Sequence, residues 1–376
     1  MKSKTMPDCL ILGGGVIGLS IAYELSGHGL DCQVLERGQV GLESSWAGAG
    51  ILPAANLDTA IDPIDKLRGL SHRLHPKWAM ELKDLSGIDT GYRQCGGIYL
   101  ARGAGEAASL AGMRTMLMEE EIHCQELDPE QLIHHEPQLE KLARSGELLS
   151  AYRVTDESQL RNPDHLAALK LACQKRGVSI QEQVEVTGFS IRGGKLGYLE
   201  AGGKKWPAES FCLAAGAWTS QMLNQLGIQH GLLPVRGQIV MFRSTRPLLT
   251  HVVNVGSRYL VPRDDGRLLV GSSEEEVGFV KETTSRVIGE LKKMALELVP
   301  ALENSEVQRC WSGLRPGSFD GFPYLGHLPG VDNAFVATGH FRSGLHLSTG
   351  TAVIMSELIR GDKLSLDPSP FCLDRG

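Results

Sequence analysis

The chain is 376 residues long, with 42% hydrophobic and 22% charged residues. That length suggests about two domains with room for a sizeable core, and that composition excludes collagen, coiled coil and disorder. Its 38 Lys and Arg against 44 Asp and Glu leave a net charge of −6 without a basic stretch, which argues against nucleic acid or an anionic membrane as the main partner. A small molecule is the expected partner.

Eight cysteines are scattered without a C-x-x-C pair, so neither a zinc site nor a redox dithiol is signalled, and free thiols in a reducing cytoplasm are expected. Only MKSKTMPD precedes the apolar run CLILGGGVIG, which is too short and glycine-rich for a signal or a membrane span. His75, His134, His135 and His346 show no metal-ligand spacing, and no metal is expected. No G-x-S-x-G nucleophile elbow is present.

In chain order, a strand over about Asp8 to Leu12, a glycine turn, a helix over about Val16 to His28 and a strand over about Asp31 to Glu36 make a βαβ unit. Helical patterns follow near Ile64 to Leu85 and Asn162 to Lys175, the second leading into the strand-like VSIQEQVEV. FCLAAGAW reads as a buried strand ending in glycine. From Leu233 the pattern becomes β-rich, with VRGQIVMFRS and then RYLVPRDDGRLLVGSS, whose Asp265-Gly266 centre signals a hairpin. A helix over about Thr283 to Leu298 closes that region. A buried strand AFVAT then passes through GHFRSG into the helical GLHLSTGTAVIMSELI. The ends therefore read as α/β and the middle as a second, antiparallel sheet interleaved with them.

Gly13-x-Gly15-x-x-Gly18 falls where strand becomes helix: the first glycine makes the turn, the second admits a pyrophosphate and the third lets helix and strand pack. Glu36 ends the second strand, where a carboxylate can accept hydrogen bonds from an adenosine ribose. The pattern predicts dinucleotide binding but does not separate NAD from FAD. SSWAGAGIL reads as a small-residue loop, either flexible or shaped for close backbone approach to a planar ring. GHFRSG, at a strand-to-helix junction, is either a plain connection or an anion-binding helix start. Arg315 in WSGLRPG and Arg342 in GHFRSG could each offer a planar fork to a carboxylate. Tyr259 could assist or simply pack. The run Glu274-Glu275-Glu276 reads as a solvated face, with a place near a substrate amine as the alternative.

GGGVIG, Glu36, SSWAGAGIL, RYLVPR, GLRPG with DGFPYLG, and ATGHFRSG, in this order over about Pro7 to Gly361, resemble the D-amino-acid oxidase family of FAD enzymes and most of all its glycine oxidase branch. The resemblance implies a glutathione-reductase-type Rossmann-like FAD domain, about 1–85, 150–228 and 310–376. It implies a substrate domain with an antiparallel sheet, about 86–149 and 229–309. Arg315 would bind the substrate carboxylate with help from Tyr259, and Arg342 would stand at the flavin edge. Gly13, Gly15, Val16, Ile17, Gly18 and Glu36 would hold the ADP half. Ser44, Ser45, Ala47, Gly48, Ala49 and Gly50 would line the flavin, with Val184 near the adenosine and Gly216 at the end of FCLAAG. His340, Phe341, Arg342, Ser343, Gly344 and Leu345 would lie at the pyrimidine end.

The family also implies oxidative deamination of glycine, sarcosine or a small D-amino acid by hydride transfer to flavin. The products would be an oxo acid, ammonia or an amine, and hydrogen peroxide from dioxygen. Glu274 departs from a branch member's Met, and with Tyr259 it is expected to narrow the pocket. Gly313 stands where sarcosine oxidases carry the flavin-linking cysteine, so non-covalent FAD is expected. A homo-oligomer is plausible. The alternatives are a dehydrogenase passing electrons to a quinone or protein, and a non-catalytic assembly or tRNA-modification module.

Overall fold

The computed structural model describes residues 6–375; the first five residues of the leading segment and Gly376 lie outside the described part. A six-stranded sheet is ordered Tyr324–Leu328, Val331–Thr338, Ser210–Leu213, Cys9–Leu12, Cys32–Leu35 and Ser179–Gln181. Its last five strands are parallel, and the outermost Tyr324–Leu328 runs antiparallel to its neighbour. Cys9–Leu12 is buried at every residue, as expected for a central parallel strand covered on both faces.

The helices Val16–Gly27, Pro63–Ser86, Asn162–Lys175 and Gly344–Arg360 pack around one core, which includes Leu19, Leu67, Leu169 and Ile354. Pro63–Ser86 begins as its sequence dictates. The Asp62 side chain accepts from Ile64 N at 2.9 Å, proline fills the first helical position, and Gly87 ends the helix in the left-handed conformation. Among the described residues no helix is long and apolar enough to cross a membrane.

The second large sheet has eight strands, in the order Glu306–Gly317, Leu233–Arg243, Arg267–Gly271, Arg258–Pro262, Val252–Val255, Gly97–Ala101, Ser150–Val154 and Cys124–Glu126. All neighbours are antiparallel except Val252–Val255 with Gly97–Ala101. Helix Ser285–Leu298 covers its outer face with Val287, Leu291, Met294, Ala295 and Leu298, a single apolar stripe at helical spacing. Each fully buried Leu or Val there contributes roughly 1.5–3 kcal/mol.

Three readings of the sequence are corrected. VSIQEQVEV is not one strand: Ser179–Gln181 joins the parallel sheet, Gln183 turns with φ 61°, and Val186–Arg192 starts a separate three-stranded meander. The break lets Val184 N reach Glu36 O at 2.9 Å, which ties this segment to the end of the second parallel strand. SSWAGAGIL is not a loop throughout, since Ser44–Ala47 forms a helical turn and Ile51–Leu52 pairs with Ser158–Gln159. Finally, residues 150–154 and 310–317 belong to strands of the eight-stranded sheet, although the sequence groups them with the dinucleotide-binding segments. Sheet membership is set by pairing with strands distant in the chain, which no local stretch of sequence signals.

Candidate functional site

A cavity of about 520 Å³ lies between the two large sheets. Its floor comes from the carboxyl ends of the parallel strands, at Leu12, Leu35, Ala214 and Thr338, and its far wall from Tyr99, Gly237, Ile239, Asn254, Tyr259, Gly313 and Arg315. Ligands of open α/β sheets bind in this crevice beyond the strand ends.

The glycine turn shapes one end. Gly13 adopts φ 110°, and a Cβ there would sit 2.5 Å from the Ala214 carbonyl oxygen, so no other residue fits this approach between neighbouring strands. A Cβ on Gly18 would collide with the Gly13 carbonyl, so glycine is required there for helix and turn to pack, although Gly18 itself does not line the cavity. Gly15 caps helix Val16–Gly27 with no side-chain hydrogen bond, so the helix start faces the cavity with backbone amides and a positive dipole end. Val16 N donates to Ser45 Oγ at 2.9 Å.

Glu36 is buried, and its two oxygens accept Gly14 N and Gly38 N, each at 2.8 Å. The carboxylate therefore ties the turn together, and its remaining lone pairs face a cavity whose walls it shares with Val184. Arg37 stacks 3.7 Å over the Trp218 ring beside it, a feature without any sequence motif.

Toward the other end, Ser44 Oγ donates to Leu314 O and joins the one-turn helix Ser44–Ala47 to the eight-stranded sheet. Asn162 Nδ2 donates to Ser45 O at 2.7 Å, while its Oδ1 is buried with no protein partner. Arg263, the last residue of RYLVPR, is buried and donates to Ala49 O at 2.7 Å and Leu160 O at 3.0 Å. Burial pulls its guanidinium down to about 10. It fixes the Ala47–Gly50 stretch, a role that the motif contained but that reading Tyr259 alone overlooked. Gly48, Ala49, Gly50 and Gly216 all line the cavity.

His340, Phe341, Arg342, Ser343, Gly344 and Leu345 meet the cavity at the start of helix Gly344–Arg360. Ser343 offers that helix no side-chain cap, so its N-terminus, like that of Val16–Gly27, is open to an electronegative group. His340 Nε2 is 3.0 Å from Thr351 Oγ1 and its Nδ1 has no partner; burial holds the ring down at about 3, hence neutral.

The two arginines differ. Arg342 is engaged: it pairs with Glu274 and donates to Ser257 O at 3.0 Å. Glu274 is turned onto Arg342 at the rim and does not line the cavity, which places it apart from the wall where a narrowing role is expected. Arg315 donates to Ser273 O at 3.0 Å and to Ser272 Oγ at 2.7 Å, and among the described residues no carboxylate lies within ion-pair distance of it. Burial lowers its affinity for its proton, opposed by the adjacent Tyr259. Phe341, at φ 46°, places its ring centroid 6.0 Å from the guanidinium carbon. A Cβ on Gly237 would overlap that guanidinium. Arg315 is thus a half-buried cation whose directions are fixed by neutral acceptors, with no ion-pair partner among the described residues.

These residues fit a flavin dinucleotide: two open helix starts for anionic groups, a glycine cradle closed to any Cβ, and orphaned buried atoms at Asn162 and His340. Comparison with known proteins agrees. The family described as FAD dependent oxidoreductase (DAO) matches residues 8–358. Glycine oxidase of Geobacillus kaustophilus is 34% identical over 370 residues, covering 98% of this chain and 97% of that protein. Glycine oxidase of Pseudomonas putida is 31% identical over 364 residues, covering 96% and 97%. The crystal structure of the Geobacillus kaustophilus glycine oxidase superposes with a TM-score of 0.92 at 32% identity, covering 98% of this chain and 99% of that one. The chain belongs to the FAD-dependent oxidoreductase family of the D-amino-acid oxidase type.

Proposed function

We propose that the protein oxidatively deaminates a small amino acid, glycine foremost, with dioxygen as electron acceptor and hydrogen peroxide as product. The observation that carries this reading is Arg315, a half-buried cation without an acidic partner on the cavity wall. A guanidinium so placed gains most from a bidentate carboxylate. Tyr259, adjacent to it, adds a hydroxyl to the same carboxylate.

Gly13, Gly15, Val16, Ile17 and Glu36 would hold the ADP half of FAD, with Gly18 packing the turn behind them. Ser44, Ser45, Ala47 to Gly50, Val184, Gly216 and His340 to Leu345 would surround the remainder. FAD, when bound, supplies hydride acceptance. The chain's part is to clamp the carboxylate at Arg315, orient the α-carbon and keep bulk water out, so that positioning replaces a strong side-chain base. The open helix start at Gly344 favours negative charge near it.

Non-covalent attachment is supported by Gly313, whose added Cβ would sit 2.5 Å from Ala47 Cβ. It is also supported by Cys310, which packs with the core on the opposite side of the sheet. The parallel layer would be the FAD-binding part and the eight-stranded sheet the substrate-binding part. Eight free cysteines, four of them buried, accord with a reducing cytoplasm.

Anaerobic bleaching of the flavin absorbance by glycine, sarcosine, D-alanine, D-proline and D-phenylalanine tests the substrate class, with glycine, sarcosine or D-alanine expected to be fastest. Stoichiometric peroxide under air supports the oxidase. Turnover only with an artificial acceptor would make it a dehydrogenase, and no flavin in the purified protein would overturn the reading.

A further inference from the structure

The cavity wall opposite the glycine turn is a polar row set by strand register. Tyr259, Asn254 and Tyr99 stand directly opposite one another on three neighbouring strands, so their side chains share one face, and all three line the cavity. Behind this row lies Glu157, fully buried. Its carboxyl lies over Gly97, where a Cβ would come within 2.5 Å of it. Its oxygens meet only Tyr99, whose hydroxyl donates to Oε2, and Asn254, whose Nδ2 is 3.5 Å from Oε1. Among the described residues no Lys or Arg pairs with it.

A buried carboxyl without a cation is costly. Its only strong partner is a tyrosine that keeps part of its surface in the substrate cavity. While Glu157 is ionised it can only accept, so the Tyr99 hydroxyl must spend its single proton on it. The tyrosine oxygen then has only lone pairs for the cavity. That polarity complements an amino nitrogen, as the guanidinium of Arg315 complements a carboxylate.

We propose that Tyr99 accepts a hydrogen bond from the substrate's amino group and that Glu157 is its positioning residue, committing the tyrosine proton away from the cavity. This assignment rests on the amino-acid reading above and adds to it the recognition of the amine. Burial raises the Glu157 carboxyl to about 7, and burial together with Glu157 pushes the Tyr99 hydroxyl far above its usual range, so Tyr99 remains a donor. Among the other titratable groups on the packed elements, Tyr152, opposite Tyr99 on the next strand, has the Arg114 guanidinium over its ring. The Cys95 thiol is raised by burial, the Cys124 thiol facing Tyr99 is raised likewise, and His251, over Gly96, is held by Glu136 at 2.7 Å. Below pH 7 the protonated Glu157 donates to the tyrosine oxygen, the Tyr99 hydrogen turns into the cavity, and the acceptor is lost.

The test uses the full-length FAD-loaded protein with two probes. Glycine is followed by kcat/KM from pH 5.5 to 9, and acetate, which has the carboxylate without the amine, by perturbation of flavin absorbance. Tyr99→Phe should lower kcat/KM for glycine about tenfold at pH 8 and leave the acetate Kd within about twofold. Glu157→Gln should remove the acidic limb near pH 7 that the parent shows for glycine. If Glu157→Gln loses FAD, Tyr99→Phe still decides, because without the hydroxyl the same limb must vanish. Equal weakening of glycine and acetate by Tyr99→Phe, or a limb that persists in it, overturns the proposal. Failure of the underlying reading is separately visible as an Arg315→Ala protein that binds acetate unchanged.

Discussion

The glycine turn and the sheet wall hold opposite ends of one cavity, and they are encoded differently. At the turn, the contact of Gly14 N with Glu36 spans 22 residues, and one βαβ unit brings its parts together. At the wall, Ser44 meets Leu314 across 270 residues and Arg315 meets Ser273 across 42; only sheet register aligns them. The turn is a backbone device, rigid and intolerant of side chains. The wall is a side-chain device, in which a single charge or hydroxyl can be removed without disturbing the fold.

Breaking the turn should therefore cost the most. Gly13→Val combines a left-handed φ with a clash at Ala214 and should remove more than about 3 kcal/mol of stability or abolish FAD binding. Melting temperature and flavin content of the purified variant report it, and a stable yellow variant would contradict the cradle.

Arg315→Ala should leave flavin content intact while kcat/KM for amino acids falls by a factor corresponding to about 2–5 kcal/mol. Amines without a carboxylate should be indifferent to the change. Unchanged amino-acid kinetics would remove Arg315 from the site.

Glu157 sharpens the comparison through pH. Its carboxyl is raised to about 7 in the folded chain against an unfolded value near 4.3, so folding favours its protonated form. Stability from this group is fully present below about pH 4.3 and is lost as pH rises through 7. Glu157→Gln should thus match the parent near pH 4 and exceed it by about 3–4 kcal/mol at pH 8, as read by urea unfolding. A difference independent of pH would place the carboxyl in a different state.

Smallest of all should be Glu274→Met. Its pair with Arg342 is at the rim, with side chains 41% and 32% exposed, and such pairs contribute about 0–1 kcal/mol. The preference for glycine over D-phenylalanine should shift by less than about threefold, measured as the ratio of specificity constants. A larger shift would bring Glu274 back into the pocket.

Much of the turn was legible in advance, because glycine spacing, helix period and the acid at Glu36 are all local. The carboxylate's contacts with Gly14 and Gly38 were not, since a motif names a residue type without its hydrogen-bond partners. Arg315 and Arg342 were indistinguishable as letters. Their difference lies in Glu274, which forms an ion pair with Arg342 and none with Arg315. Tyr99, Asn254, Glu157 and Arg263 escaped notice because nothing near them in the chain marks a polar row or a buried charge.

The sequence by itself determined the βαβ start, the buried parallel strands, the antiparallel middle and the positions where backbone must come close, since steric and periodic constraints act between near neighbours. Tertiary structure alone decided which sheet the strands at 150–154 and 306–317 join and where VSIQEQVEV breaks. It also decided which arginine forms an ion pair and which carboxyl is buried without a cation. Those outcomes depend on strand register and on desolvation by distant segments, and neither is a property of any short stretch of chain.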